Sequence, residues 1–220
     1  MVLNLLLGLP GDRPGGLLLT VLAFIGSGVV ALMIGFIYAA VCVGLPRLSL
    51  PLQAGAALLR GIPLLLLVFL FAHLPGLPKL GAGLGAMLVY SCVHVGEILR
   101  SFLAAYPTQL REQARVVGLG PVRDWLQLRA PWTMWRSLAA LGTHWVSLLK
   151  DTGALVVLGI GELTTVAKEL SEGPYGDEHW VEVMLWAGAL YLAATLALIQ
   201  SLHYVTGKFG RLIPSEEGHA

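Results

Sequence analysis

The sequence predicts an all-α membrane protein, one helical domain that crosses the bilayer five times, and three observations predict it. Apolar residues make up 56% of the chain and charged residues 12%, with a mean hydropathy of +0.77, more apolar than a water-soluble domain requires. Five segments approach or exceed the roughly 20 helical residues needed to cross about 30 Å of hydrocarbon. Most of the charge lies between those segments, where a bilayer allows it. With a net charge of +1 and no basic tract, nothing favours nucleic acid. Cys42 and Cys92 sit inside apolar runs, as small buried thiols rather than a disulfide framework or a metal site.

Residues 1–16 have neither a basic n-region nor a small-residue cleavage site, so they read as a short uncleaved tail, and targeting falls to the first membrane helix. The domain proper is predicted over 17–210, with a second tail over 211–220. The first crossing runs from Leu17 to Leu45. The second runs from Leu52 to Leu74 and is closed by Pro75, Gly76 and Pro78. The third, Leu80 to Tyr106, carries Glu97 and Arg100, and the last spans Val181 to Val205.

The stretch from Trp132 to Val166 is divided by Lys150 and Asp151 into a near-spanning piece and a short one. It is read as one broken fourth crossing, with Thr152-Gly153 as the break. Positive-inside counting favours that reading over two crossings. Five helices with the N-terminus outside place Arg47, Arg111, Arg115, Arg123, Arg129, Lys208 and Arg211 in the cytoplasm with the C-terminus. Arg13, Lys79, Lys168 and the acidic run Glu169, Glu172, Asp177 and Glu178 then lie outside. Gly26, Gly28, Gly81, Gly83 and Gly85 are read as points of close helix approach.

Between the third and fourth crossings, Pro107 to Pro131 is polar enough to leave the bilayer yet patterned as two short helices. Leu110, Ala114 and Val117 share one face, and Gly118 suits a left-handed helix end. Gly120 and Pro121 turn the chain, Pro121 opens a second helix, and Pro131 re-enters the membrane. The result is an amphipathic hairpin on the cytoplasmic side.

Glu112-Gln113-Ala114, three residues, Gly118, nine residues, Leu128, one residue, Ala130-Pro131 resembles the EAA loop of ABC import permeases. That loop reads Glu-Ala-Ala, x3, Gly, x9, Ile, x, Leu-Pro, so Gln113, Leu128 and Ala130 are substitutions in an intact spacing. Ser147-Leu148-Leu149-Lys150-Asp151-Thr152 and Gly161-Glu162-Leu163-Thr164 resemble the polar amino-acid branch, as do Arg60-Gly61-Ile62-Pro63-Leu64-Leu65 and Gly96-Glu97-Ile98-Leu99-Arg100. The chain departs from that branch at His94, Ser101 and Thr143-His144-Trp145.

The resemblance implies a type I importer permease fold. It also implies that Glu112, Gln113, Ala114, Gly118, Leu128 and Pro131 dock the hairpin in a separate ATPase dimer, which holds the ATP and Mg. Further implied partners are a second permease subunit, identical or homologous, an extracytoplasmic solute-binding protein, and an amino-acid cargo in a bacterial inner membrane.

A charge at mid-bilayer costs roughly 3 kcal/mol on insertion scales and marks a functional position. Lys150 and Asp151, with backbone freed at Thr152, suit the carboxylate and ammonium of a zwitterion. Equally, Lys150 could pair with Glu97 or another subunit to hold helices together. His94, Glu97 and Arg100 share a helix face, where His94 and Glu97 either line the cargo path or pack between helices, and Arg100 could snorkel to the cytoplasm. His73, His144 and His203 read as interfacial or packing residues.

No catalytic or metal-ligating set is apparent. The chain has no Gly-x4-Gly-Lys-Ser/Thr to bind nucleotide itself and no His-Glu-x2-His. The reading is a transport subunit that alternates access around a central site. Two other classes compete with it, an ion-coupled transporter relaying protons through Lys150 and Asp151, and a membrane-embedded enzyme built on His94, Glu97 and His144.

Overall fold

The structure is a computed structural model that describes residues 1–11, 14–174 and 176–209, with backbone alone at Asp177 and Phe209. Arg13, Arg211, the predicted tail over 211–220 and the Asp177 side chain lie outside the described residues.

The amino-terminal residues are not a trailing tail. Helix α1 (Val2–Leu7) buries Leu5 completely against Leu163, Val166 and Ala167. The Gly15 N–H donates to the Leu7 carbonyl at 2.8 Å and the Gly16 N–H to the Gly161 carbonyl at 2.7 Å. Gly16 has φ +55°, and a Cβ there would stand 2.2 Å from the Leu5 carbonyl oxygen, so only glycine fits.

Helix α2 (Gly16–Gly44) carries small residues every fourth position, Ala23, Ser27, Ala31, Gly35 and Ala39, all buried. Repeats of four keep side chains on one helix face. Large apolar side chains, Ile25, Val29, Met33 and Ile37, stay exposed as they would toward lipid.

The predicted second crossing is two helices, α3 (Pro46–Arg60) and α4 (Leu64–Ala72), bent by 93°. Pro63 explains the break, since it disfavours helical backbone at Ile62 and offers no N–H. At 15 and 9 residues, the two are about 22 and 14 Å long, so neither alone crosses.

Helix α5 (Lys79–Ala104) packs along the small face of α2. A Cβ on Gly35 would lie 3.1 Å from the Gly96 nitrogen, and one on Gly96 would lie 2.9 Å from the Tyr38 ring. This pair sets the approach of the two helices. Of the glycines singled out in the sequence, Gly83 lies against Leu155 and Ile160, Gly85 against Phe71 and Gly28 against Trp145, whereas Gly26 faces open space and Gly81 meets only its neighbours Leu77 and Pro78.

After α6 (Thr108–Val116) and α7 (Pro121–Asp124), a π-helical turn over Trp125–Arg129 leads into α8 (Ala130–Asp151). The chain then tightens to a 3₁₀ helix, Thr152–Leu158, closed by Gly159 at φ +63°. The predicted break at Thr152 is therefore present. At 22 residues, α8 is itself about 33 Å long, and Thr152–Leu158 follow it as a separate, tighter element. They return against the starts of α2 and α5 before α9 (Leu163–Glu172) and α10 (Gly176–Phe209), which kinks at His179.

Among the described residues, α2, α5 and Glu178–Lys208 of α10 are long and apolar enough to cross a membrane, and α3 with α4 forms a bent fourth candidate. α8 has the length but carries Arg136, Lys150 and Asp151.

Replacing Gly35 with leucine should cost about 1–3 kcal/mol through overpacking and lower the thermal midpoint of the detergent-solubilised protein. Gly26→Ala should leave that midpoint unchanged, and equal effects of the two would show that the α2–α5 approach is not set at Gly35.

Candidate functional site

The hairpin begins with α6, whose Ala114 is buried while Glu112 and Gln113 are exposed. Gly118 closes it at φ +76°, with the Leu119 N–H donating to the Ala114 carbonyl at 2.9 Å and the Gly118 N–H to the Arg115 carbonyl at 3.0 Å. This pair of bonds is a Schellman closure, which needs a left-handed residue at the position of Gly118.

Pro121 opens α7 as the sequence suggests, but the second arm does not end before the membrane helix. It continues into α8 through the π turn, in which the Ala130 N–H donates to the Trp125 carbonyl. The wider turn accommodates Pro131, which has no N–H and would otherwise crowd the carbonyl four residues back. Leu128 in this turn is half-buried and Pro131 exposed.

Tyr106, 4% exposed, is the latch between hairpin and bundle. Trp132 meets its ring edge-on at 5.2 Å, the Arg129 guanidinium lies 5.9 Å over it, and Arg129 reaches Asp124 at 2.5 Å. The hairpin is thereby fixed to the end of α5 and the start of α8. Its outer surface shows Val116 (87% exposed), Val117, Val122 and Leu126.

The charges inside the bundle are arranged differently from expectation. Glu97 does not meet Lys150. Its carboxylate accepts from Arg100 Nε at 3.0 and 3.1 Å, from Arg100 Nη2 at 2.9 Å and from the Tyr38 hydroxyl, with Arg60 at 4.0 Å. Arg100 is thus bound within the bundle rather than snorkelling away from it. Two motifs far apart in sequence meet in this knot, which leaves little of Glu97 for a ligand.

His94 donates from Nδ1 to the Tyr90 carbonyl at 2.8 Å and stacks on His144 at 5.4 Å, 8° from parallel. His144 Nε2 in turn bonds Ser91 Oγ at 3.0 Å. Asp151 lies close enough for its charge to act on Lys150, His94 and Tyr90.

Lys150 is exposed on another side of α8, at an open groove of about 580 Å³ bounded by α10. Successive helix residues diverge by about 100°, so Lys150 and Asp151 leave α8 in different directions. Thr152 is fully buried and donates to the Leu149 carbonyl at 2.8 Å.

A second knot had escaped the sequence reading. Glu162, fully buried, caps α9 by accepting from the Thr164 and Thr165 N–H groups at 2.9 and 2.8 Å, and also receives the Tyr191 hydroxyl at 3.0 Å. Thr20 Oγ1 completes it, accepting the Leu163 N–H at 3.1 Å. The sequence marks Glu162 within the Gly161-Glu162-Leu163-Thr164 resemblance and as an acidic residue directly ahead of a helix, but nothing local names Thr20 or Tyr191.

The sequence profile described as "Binding-protein-dependent transport system inner membrane component" matches residues 31–208. The chain belongs to this family. As an inner membrane component of that kind it is a transport subunit, and the profile takes in the hairpin, both knots apart from Thr20, and the groove.

This inner membrane component is 26% identical to the probable glutamine ABC transporter permease protein GlnP of Bacillus subtilis (strain 168), over 70% of this chain and 72% of that one. It is 26% identical to the arginine ABC transporter permease protein ArtQ of Haemophilus influenzae (strain ATCC 51907 / DSM 11121 / KW20 / Rd), over 66% of this chain and 70% of that one. In fold it is similar to a crystal structure of an amino acid ABC transporter with histidines, at TM-score 0.74 and 23% identity, covering 88% of this chain and 92% of the other. It is also similar to an inward-facing MetNI methionine ABC transporter, at TM-score 0.69 and 17% identity, covering 85% and 93%.

Glu162→Ala strips the cap from α9 and leaves buried donors unpaired, at a cost of about 3 kcal/mol. Thermal unfolding in detergent should show the loss, and a midpoint equal to the parent's would mean that the second knot contributes no stability.

Proposed function

We propose that the chain is the membrane-spanning half of an ATP-driven ABC importer for amino acids, set in the bacterial inner membrane as a multi-pass protein. The single observation that carries this reading is the hairpin. It is a rigid lever fixed to α5 and α8, with four large apolar side chains held in water. Such a patch marks an interaction surface. The EAA-like spacing of Glu112, Gln113, Ala114, Gly118, Leu128 and Pro131 suits the cleft of an ATPase subunit, and the relatives named for glutamine and arginine suggest the cargo. ATP and Mg belong to the ATPase dimer, while a solute-binding protein delivers cargo and a second permease subunit completes the pathway.

In this reading the chain is of the type I importer kind and crosses five times, with α3–α4 as a bent second crossing and α8 as the fourth. The N-terminus lies outside and the C-terminus in the cytoplasm. Lys150 faces the cargo, while His94 and Asp151 form a neighbouring polar wall. Glu97 and Thr152 act by holding helices in place.

Gly118→Val places a β-branched residue at φ +76°, which strains the closure by about 1–2 kcal/mol and should lower ATP-driven uptake roughly tenfold with an unchanged elution volume. Full uptake by this variant would rule out the lever. Vesicles holding the chain without ATPase subunits should take up no amino acid, and gradient-driven uptake there would favour the ion-coupled alternative.

A further inference from the structure

The groove between α8 and α10 has a charge pattern that bears on which amino acid it takes. Arg136, Ala139, Thr143, Ser147 and Lys150 are all exposed and succeed one another at spacings of three or four, so they form one stripe along α8. Across from the stripe stand His203 and Thr206 of α10. The floor is a close contact, since a Cβ on Gly142 would lie 2.9 Å from Leu202 Cδ1. The groove is therefore a built feature of two packed helices.

Its titratable lining is basic. No carboxylate lies within 4.0 Å of Lys150 Nζ among the described residues. The carboxylates inside the bundle are directed elsewhere. Glu97 is held by two arginines and a tyrosine, Glu162 is buried under threonines and Tyr191, and Asp151, whose charge reaches Lys150 as well as His94, does not line the groove. Arg136, at the other end of the stripe, rests its guanidinium 5.8 Å over the Trp132 ring, which leaves its charge uncancelled.

We infer that this groove accepts an amino acid through a carboxylate on Lys150 and rejects a cationic side chain, so that the cargo is neutral or acidic. The inference rests on the importer reading and narrows it. An ammonium on Lys150 and a guanidinium on Arg136 along one stripe oppose a second cation and favour an anion. The hydroxyls of Thr143, Ser147 and Thr206 can accept from the cargo's α-ammonium or a side-chain amide, but they offer an arginine side chain no counter-charge. Of the two cargoes named for the relatives, the groove therefore fits glutamine and not arginine, and glutamate fits as well.

The test uses the assembled transporter, with its ATPase subunits, in vesicles offered labelled glutamine, glutamate or arginine, with and without ATP. Uptake of glutamine or glutamate should exceed that of arginine at least roughly tenfold, and Lys150→Gln should raise the KM for the preferred cargo by roughly tenfold or more. Lys150→Arg should retain the parent's preference, and Lys150→Glu should move it toward arginine. Size-exclusion profiles establish that each variant assembles. Arginine uptake equal to that of glutamine, an unchanged KM in Lys150→Gln, or uptake of none of the three would overturn the inference. Uptake that needs no ATP would instead count against the importer reading, and the order of preference in the same vesicles would still decide this one.

Discussion

A carboxylate buried in an apolar bundle has to be met by charge and hydrogen bonds, and Glu97 meets that need by drawing α2, α3 and α5 to one point. Tyr38 arrives from α2, Arg60 from the end of α3 and Arg100 from α5 itself. The meeting requires that α2 and α5 come close enough for Tyr38 to reach, which the facing Gly35 and Gly96 allow. Removing either the small residues or the charge would leave the other without a purpose: a close approach with nothing to bind, or a buried charge without partners. The bend that Pro63 makes between α3 and α4 lies next to Arg60, so the knot and the turn adjoin.

The second knot does comparable work at the opposite end of α5. Glu162 and Tyr191 tie α9 to α10, and Thr20 brings in α2. Between the two knots α8 runs as one uninterrupted helix from the hairpin to Lys150. A force applied at the hairpin would thus reach the groove along a single stiff rod, with Tyr106, Trp132 and Arg129 as the fulcrum.

What was legible in the sequence followed from local chemistry. Gly118 could be assigned a left-handed helix end because the apolar face stops there, and Thr152-Gly153 could be assigned a break because two charges interrupt an apolar run. The long helices were legible because hydropathy reports length. It does not report direction, which is why the apolar residues on both sides of Gly61-Ile62-Pro63 read as one crossing although the chain bends by 93°. Pro131 marks the re-entry into the membrane, and only the π turn shows that the helix runs through it from the hairpin. Lys150 and Asp151 suggest one zwitterion site by adjacency, but adjacency along a helix is divergence in space, and their neighbours on each side are set by other helices. Partners such as Tyr38 for Glu97, or Tyr191 for Glu162, are far apart along the chain, and no local spacing reveals them.

The orientation of the hairpin is the most direct measure of whether this arrangement serves an ATPase. A cysteine placed at Val117, with Cys42 and Cys92 replaced by serine, can be probed with a membrane-impermeant maleimide from either side. Labelling is expected in inverted vesicles, where the cytoplasmic face is outward, and it should diminish when the ATPase subunits are bound. Labelling of intact right-side-out membranes would place the hairpin outside and contradict its role as the coupling element.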